Sequence, residues 1–146
     1  NLMLLPDRSG VAQCGLLDFQ DALRGAAEYD LVSLLQDARR DLAPGLEDAM
    51  LHRYLAGMDV QPVARAAILH RYHLLGAQRH CRIVGLFPRL HQRDGKPGYL
   101  VFLPRVLRQM ETALAAADLH EIAAFLDTEL LGWRSAPQGH PILRPA

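Results

Sequence analysis

The spacing of apolar residues changes near Gly25. Before it, two apolar runs, Asn1–Leu5 and Val11–Phe19, flank the cluster Pro6-Asp7-Arg8-Ser9-Gly10. Pro presets φ, Asp and Ser bond to their own local backbone, and Gly accepts positive φ. The cluster therefore reads as a turn and the flanking runs as the strands of a β-hairpin. Beyond Gly25 the period becomes helical. Leu31, Leu34, Leu35 and Ala38 recur at i, i+3, i+4 and i+7, opposite Gln36, Asp37, Arg39 and Arg40, which predicts a helix ended by Pro44-Gly45. A second helix is expected from about Leu46 to Leu55, closed by Gly57. The third and longest is expected from Pro62, a residue suited to a first helical turn, to Gly85 or just beyond. The stretch Leu90–Gly98, with two glycines and a proline, reads as a polar loop. Helices resume over about Tyr99–Ala117 and Leu119–Leu131, hinged near Asp118, and Gly132–Ala146 reads as a loosely held tail.

The expected fold class is α+β: five helices and one N-terminal hairpin. Residues 1–26 would form the hairpin and the loop after it, 27–131 a helical part, and 132–146 the tail. Two strands alone are marginal in water. A hairpin that starts at residue 1 without a lead-in is expected to be part of a larger fold.

Composition narrows the function classes. The chain has 146 residues, 50% of them hydrophobic and 22% charged, which suits one globular domain. Sixteen basic residues balance sixteen acidic ones, so no net field favours nucleic acid or an anionic membrane, and neither is an expected partner. No apolar run approaches the roughly 18–20 residues that span a bilayer, and no secretory signal is visible. Cys14 and Cys81 make no disulfide framework and fit a reducing cytosol, so a cytoplasmic location is expected. Ser9, Ser33 and Ser135 lack a Gly-x-Ser-x-Gly context, and no Gly-rich phosphate loop is present.

The sharpest chemistry lies in Gly15-Leu16-Leu17-Asp18-Phe19-Gln20-Asp21-Ala22. An apolar strand ending in Asp18 places a carboxylate at the strand's mouth. Mg²⁺ wants hard oxygen ligands and takes one or two carboxylates, leaving its other positions to water and phosphate. A hairpin brings its ends together, so Asn1 and Asp18 are candidates to face a common ion; the other reading is that Asp18 caps a turn. Asp30 opens a helix, where unpartnered N–H groups and the helix dipole favour a carboxylate. His70, His73, His80 and Cys81 are zinc-ligand types, but Leu74, Ala77 and Val84 share their face, which favours buried or half-buried helix histidines.

Taken in order, Asn1-Leu2-Met3, the hairpin, Leu17-Asp18-Phe19-Gln20-Asp21-Ala22, Gly25 and Tyr29-Asp30-Leu31-Val32-Ser33-Leu34-Leu35 resemble the aminoglycoside-phosphotransferase-like branch of the kinase fold. The resemblance implies the mostly helical C-terminal lobe of a protein-kinase-like fold. Asn1 matches the asparagine closing the catalytic loop and Asp18 the Asp-Phe metal ligand, both directed at Mg²⁺ on the phosphates of ATP. The matching catalytic Asp would lie a few residues before Asn1, so no catalytic base is expected within the chain, and these residues alone would be inactive. Asp30 matches an Asp that braces the catalytic loop, a structural role.

A second block, Leu75-Gly76-Ala77-Gln78-Arg79-His80-Cys81-Arg82-Ile83-Val84-Gly85-Leu86-Phe87-Pro88-Arg89-Leu90, followed by Arg93-Asp94-Gly95-Lys96, Tyr99-Leu100 and Pro104-Arg105-Val106, is similar to the bacterial cell-wall sugar kinases. Those phosphorylate the anomeric hydroxyl of N-acetylmuramate or N-acetylglucosamine during peptidoglycan recycling. The similarity covers about Asn1 to Val106; Arg24-Gly25-Ala26-Ala27 departs from the usual Tyr-Gly-Pro type of turn. It makes a small sugar the expected partner, with Gln78, Arg79, His80 and Asp21 the candidates to touch it. Amide and guanidinium groups suit hydroxyls, an N-acetyl carbonyl or a lactyl carboxylate. Against this, Arg79 could pair with Asp21 or Asp94, and successive helix positions cannot all face one pocket. The alternatives are an aminoglycoside or other small hydroxyl acceptor, for which the Arg79-His80 block is a poor match to cations, or a non-catalytic helical interaction module.

Overall fold

The computed structural model describes residues 2–18, 20 and 22–135. Strands β1 (Leu2–Leu4) and β2 (Cys14–Leu16) pair antiparallel, with Leu2 opposite Leu16, Met3 opposite Gly15 and Leu4 opposite Cys14. The expected hairpin is present, but its second strand is shorter than the apolar run. Gly10–Gln13 forms a 3₁₀ turn entered through Gly10 at φ 59°, and the Leu5 N–H donates to the Gln13 carbonyl at 2.8 Å. Val11 is thereby taken from the strand and left exposed.

Five helices follow among the described residues: α1 (Glu28–Leu35), α2 (Leu46–Ala56), α3 (Pro62–Asp94), α4 (Leu103–Ala116) and α5 (His120–Glu129). The mostly helical α+β architecture with one N-terminal hairpin is thus the observed one. Three boundaries differ from expectation. α1 stops at Leu35 rather than reaching Pro44, because the Gln36 side chain turns inward to buried partners and Asp37 Oδ1 accepts the Arg39 N–H in a local turn. Its buried face is then Val32 and Leu35, while Leu34, assigned to that face by periodicity, is 53% exposed.

α3 runs on through Pro88 to Asp94, so Leu90–Asp94 is helix and not loop. An interior proline removes one backbone hydrogen bond, but Phe87 is buried and Leu90 packs against the same core, which holds the helix together across it. Gly95 at φ 62° ends α3, its N–H donating to the His91 carbonyl while the Lys96 N–H reaches that of Leu90. Between α3 and α4, Pro97–Phe102 is a 3₁₀ turn where α-helix was expected from Tyr99. Asp118, at φ 55°, makes the expected hinge between α4 and α5.

Two apolar clusters hold the helices. The larger joins the C-terminal half of α3 to α4 through Ile83, Val84, Phe87, Leu103, Val106, Leu107, Met110 and Leu114. The smaller joins Val32 and Leu35 of α1 to Leu51 of α2 and Tyr72 of α3. Trp133 belongs to the larger cluster, and its Nε1–H donates to Asp127 at 2.8 Å. Arg134 adds ion pairs to Asp127 and Glu111. Packing therefore continues past Gly132, where the loose tail was expected to begin; residues 136–146 lie outside the described residues. Among the described residues no helix is long and apolar enough to cross a membrane.

Candidate phosphotransfer and acceptor sites

Asp18 sits two residues past the last rung of the hairpin ladder. Its backbone is left-handed, at φ 61°, a conformation that Asp tolerates better than most residues, and its residue is exposed. Oδ1 accepts a hydrogen bond from Gln20 Nε2 at 2.8 Å. An exposed carboxylate held by a strand end and a tight turn is a hard, accessible oxygen donor of the kind Mg²⁺ takes. Asn1 and Asp21, the expected metal and acceptor companions of Asp18, lie outside the described residues. Among the described residues no three His, Cys, Asp or Glu side chains cluster as a metal centre. An ion that draws most of its ligands from water and phosphate does not need such a cluster.

Asp30 lies in the first turn of α1 beside Glu28, where both carboxylates complement the helix dipole. It does not cap the helix: the N-cap position is Ala27, with no side-chain cap hydrogen bond. Glu28 is the buried member of the pair, and Arg71 of α3 donates to its Oε1 from both Nε (3.0 Å) and Nη2 (2.6 Å). Burial works to raise the Glu28 carboxyl, but the Arg71 guanidinium holds it below its ordinary range. This contact ties the start of α1 to α3.

Gln78, Arg79 and His80 point three ways, as consecutive positions on a helix must. Gln78 is exposed. His80 is wholly buried, with Nε2 2.7 Å from Gln36 Oε1. Gln36 Nε2 donates to Glu47 Oε1 at 2.7 Å, and the Tyr72 hydroxyl donates to the same oxygen at 2.8 Å. Glu47 only accepts, so it fixes the Gln36 amide, whose oxygen then accepts a hydrogen bond from the His80 Nε2–H. Burial, helped by the nearby Arg79 charge, pushes the His80 imidazole down to about 4, so it is neutral at pH 7. The same desolvation, with Glu47 alongside, raises the Tyr72 hydroxyl far above its usual range. A Cβ on Gly76 would lie 2.9 Å from Gln36 Oε1, so a side chain there would crowd this network. Its location corrects the assignment of His80 to the acceptor: it locks α1, α2 and α3 together from inside. Of the other helix histidines, His73 is half-buried and His70 exposed.

Arg79 is the one of the three that lines a cavity. A cleft of about 340 Å³ opens between the end of α1 and the C-terminal half of α3, lined by Tyr29, Asp37, Arg39, Arg79, Arg82, Phe87 and Tyr99 among others. Arg79 Nη1 donates to the Tyr29 hydroxyl at 3.4 Å, and its guanidinium carbon stands 5.8 Å from that ring's centre. Its Nε is buried without a hydrogen-bond partner among the described residues. Asp94, a candidate partner for Arg79, is instead held by Arg93 at 2.6 and 2.9 Å. Asp37 is engaged by the Arg39 N–H and by Arg40 Nε; burial raises its carboxyl, but these bonds outweigh that and keep it below the usual carboxylate range. Sequence reasoning passed over Arg82, although it lies three residues from Arg79 and so shares its helix face. It also missed Arg39, Tyr99 and the locking pair Gln36 and Glu47, whose partners come from other elements.

Residues 1–66 match the model described as the phosphotransferase enzyme family, APH. Over 127 residues the chain is 46% identical to the N-acetylmuramate/N-acetylglucosamine kinase of Caulobacter vibrioides, covering 87% of this chain and 34% of that protein. It is 40% identical over 135 residues to the protein of the same name from Pseudomonas aeruginosa, covering 86% of this chain and 38% of the relative. With the one from Neisseria meningitidis serogroup B it shares 39% identity over 138 residues, 90% of this chain and 39% of the relative. The first 66 residues thus resemble the phosphotransferase enzyme family, and the likeness to the curated kinases extends further along the chain. It spans between a third and two-fifths of the length of these curated relatives.

Proposed function

We propose that the protein carrying this chain is an ATP-dependent kinase that phosphorylates the anomeric hydroxyl of N-acetylmuramate or N-acetylglucosamine in the cytoplasm, within peptidoglycan recycling. The observation that carries this reading is the 46% identity over 87% of the chain to a protein bearing that kinase's name. A match that long takes in α1 to α4 from whichever end it starts, and so includes the residues around the cleft. Asp18, with Asn1, would hold Mg²⁺ and the nucleotide phosphates. When bound, the ion neutralises charge developing on the transferred phosphoryl group. The aspartate that aligns the sugar hydroxyl for in-line attack is assigned to residues preceding Asn1. Asp21, Arg79 and the exposed Gln78 remain the proposed acceptor contacts within this chain. The aminoglycoside alternative fits less well, because arginines line the cleft where a cationic acceptor would want carboxylates.

The test is phosphorylation of both amino sugars by the complete gene product containing these residues, read as sugar-dependent ADP release. Asp18→Asn should lower kcat at least about a hundredfold, since metal stabilisation of the transferred charge is worth several kcal/mol. Unchanged kcat in that variant removes Asp18 from the metal site. Turnover of neither sugar by the wild-type protein ends the sugar-kinase reading.

A further inference from the structure

We infer that Arg82, with Arg79 beside it and Arg39 lining the same cleft, forms a subsite that reads the carboxylate of an acidic amino sugar and so separates it from the neutral one. The inference rests on the sugar-kinase reading above. The two sugars in the relatives' name differ chemically by one group: N-acetylmuramate carries a lactyl ether ending in a carboxylate, and N-acetylglucosamine carries a hydroxyl in its place. A pocket that treats them differently must do so at that carboxylate.

The cleft has the chemistry to do this. Arg79 and Arg82 lie three residues apart on α3 and line the same wall, while Arg39 lines it from the turn after α1. Among the described residues lining it, three arginines face one carboxylate residue, Asp37, which is already engaged by the Arg39 N–H and by Arg40. Among the described residues no ion pair involves Arg39, Arg79 or Arg82. This contrasts with Arg71 of α3 and Arg105 of α4, which carboxylates hold in place. Arg79 itself has a phenol and an aromatic face for company, and its buried Nε lacks an acceptor.

A planar carboxylate satisfies such donors two at a time, because the guanidinium fork matches its geometry. Arg82 is exposed and has no ion pair among the described residues, which leaves it able to close on the ligand, whereas Arg79 is already oriented by Tyr29. Beside the charges, Phe87 and Tyr99 pack at a tilt of 39° with ring centres 5.2 Å apart and give the cleft an apolar wall. Its volume, about 340 Å³, lies at the small end of the roughly 300–1,000 Å³ usual for small-ligand pockets, which suits a monosaccharide.

The experiment measures kcat/KM of the complete gene product for both sugars, in the wild type and in Arg82→Gln and Arg82→Glu. Loss of a charge-assisted pair should lower the acidic-to-neutral ratio of kcat/KM by about 10–100-fold in Arg82→Gln. Arg82→Glu should lower it further, because it sets like charges together, and Arg82→Lys should restore part of it. Arg39→Gln should lower the same ratio by a smaller factor. Circular dichroism confirms that each variant is folded, as expected for an exposed position. A ratio unchanged within about twofold in both Arg82→Gln and Arg82→Glu overturns the subsite. A wild-type enzyme that is active on both sugars separates that outcome from failure of the sugar-kinase reading, which would show as no turnover of either.

Discussion

In the hairpin, Leu2, Leu4 and Leu16 are 54%, 73% and 67% exposed, whereas in α4 Leu103 and Val106 have no exposed surface. Both regions are rich in leucine, so composition does not separate them. The hairpin's strands are three residues each and pair only with one another, and their leucines stay largely exposed. α3 and α4 instead meet along an interface closed by Phe87, Leu107, Met110 and Leu114, with Trp133 sealing its end. Stability thus resides in the helices, while the proposed metal ligand, Asp18, hangs from the less supported part. Functional loops are commonly drawn from the low-stability end of a structure, and here that end is the hairpin.

The sharpest way to break this contrast is a pair of truncations. Leu107→Ala should destabilise the chain by about 2–5 kcal/mol, because it opens a cavity in a wholly enclosed core. Leu16→Ala in the hairpin should stay within about 0.5 kcal/mol, as exposed positions do. Chemical denaturation followed by circular dichroism measures both, and equal effects would show that the hairpin shares the helical core's stability.

A smaller effect concerns the polar lock between α1, α2 and α3. His80 titrates near 4 in the folded chain, against an ordinary 6.5. Between those values the unfolded chain binds a proton that the folded chain does not, so stability rises with pH across that window. The contribution is complete above pH 6.5 and is lost as pH falls towards 4, by roughly 3 kcal/mol at most. Denaturation midpoints measured from pH 7 to pH 4 should show this slope in the wild type and a flatter one in His80→Gln. An identical slope in the two would mean that His80 charges freely in the native chain. Gly76→Ala should be smaller still, about 1 kcal/mol net. The helix gains roughly 0.8–1 kcal/mol of propensity, but Gln36 must give way and a buried polar group loses a partner. Thermal melting of the two chains measures the difference, and a stabilised Gly76→Ala would show that Gln36 yields freely.

Much of this architecture was legible because local rules governed it. The Pro6–Gly10 turn, the limits of α2 and the hinge at Asp118 each depend on residues within a few positions of one another. Asp18 was legible for the same reason, as the acid that ends an apolar strand. The end of α1 was not, because Gln36 leaves the helix for Glu47 and His80, which lie on two other helices. Nor was the passage of α3 through Pro88, where distant core partners outweigh the lost hydrogen bond.

Within the block Gln78-Arg79-His80 the residue types did not show which side chain would face which way. Each step along a helix turns the side chain by about 100°, so Gln78, Arg79 and His80 could never act together. Periodicity determined that one of them would face inward and one outward. Only the docking of α1 and α2 onto α3 decided that His80 would be the buried one and that Arg79 would open onto a cleft. Spacing along the chain sets which side chains share a face; what that face meets depends on segments many residues away, and those meet only in the folded molecule.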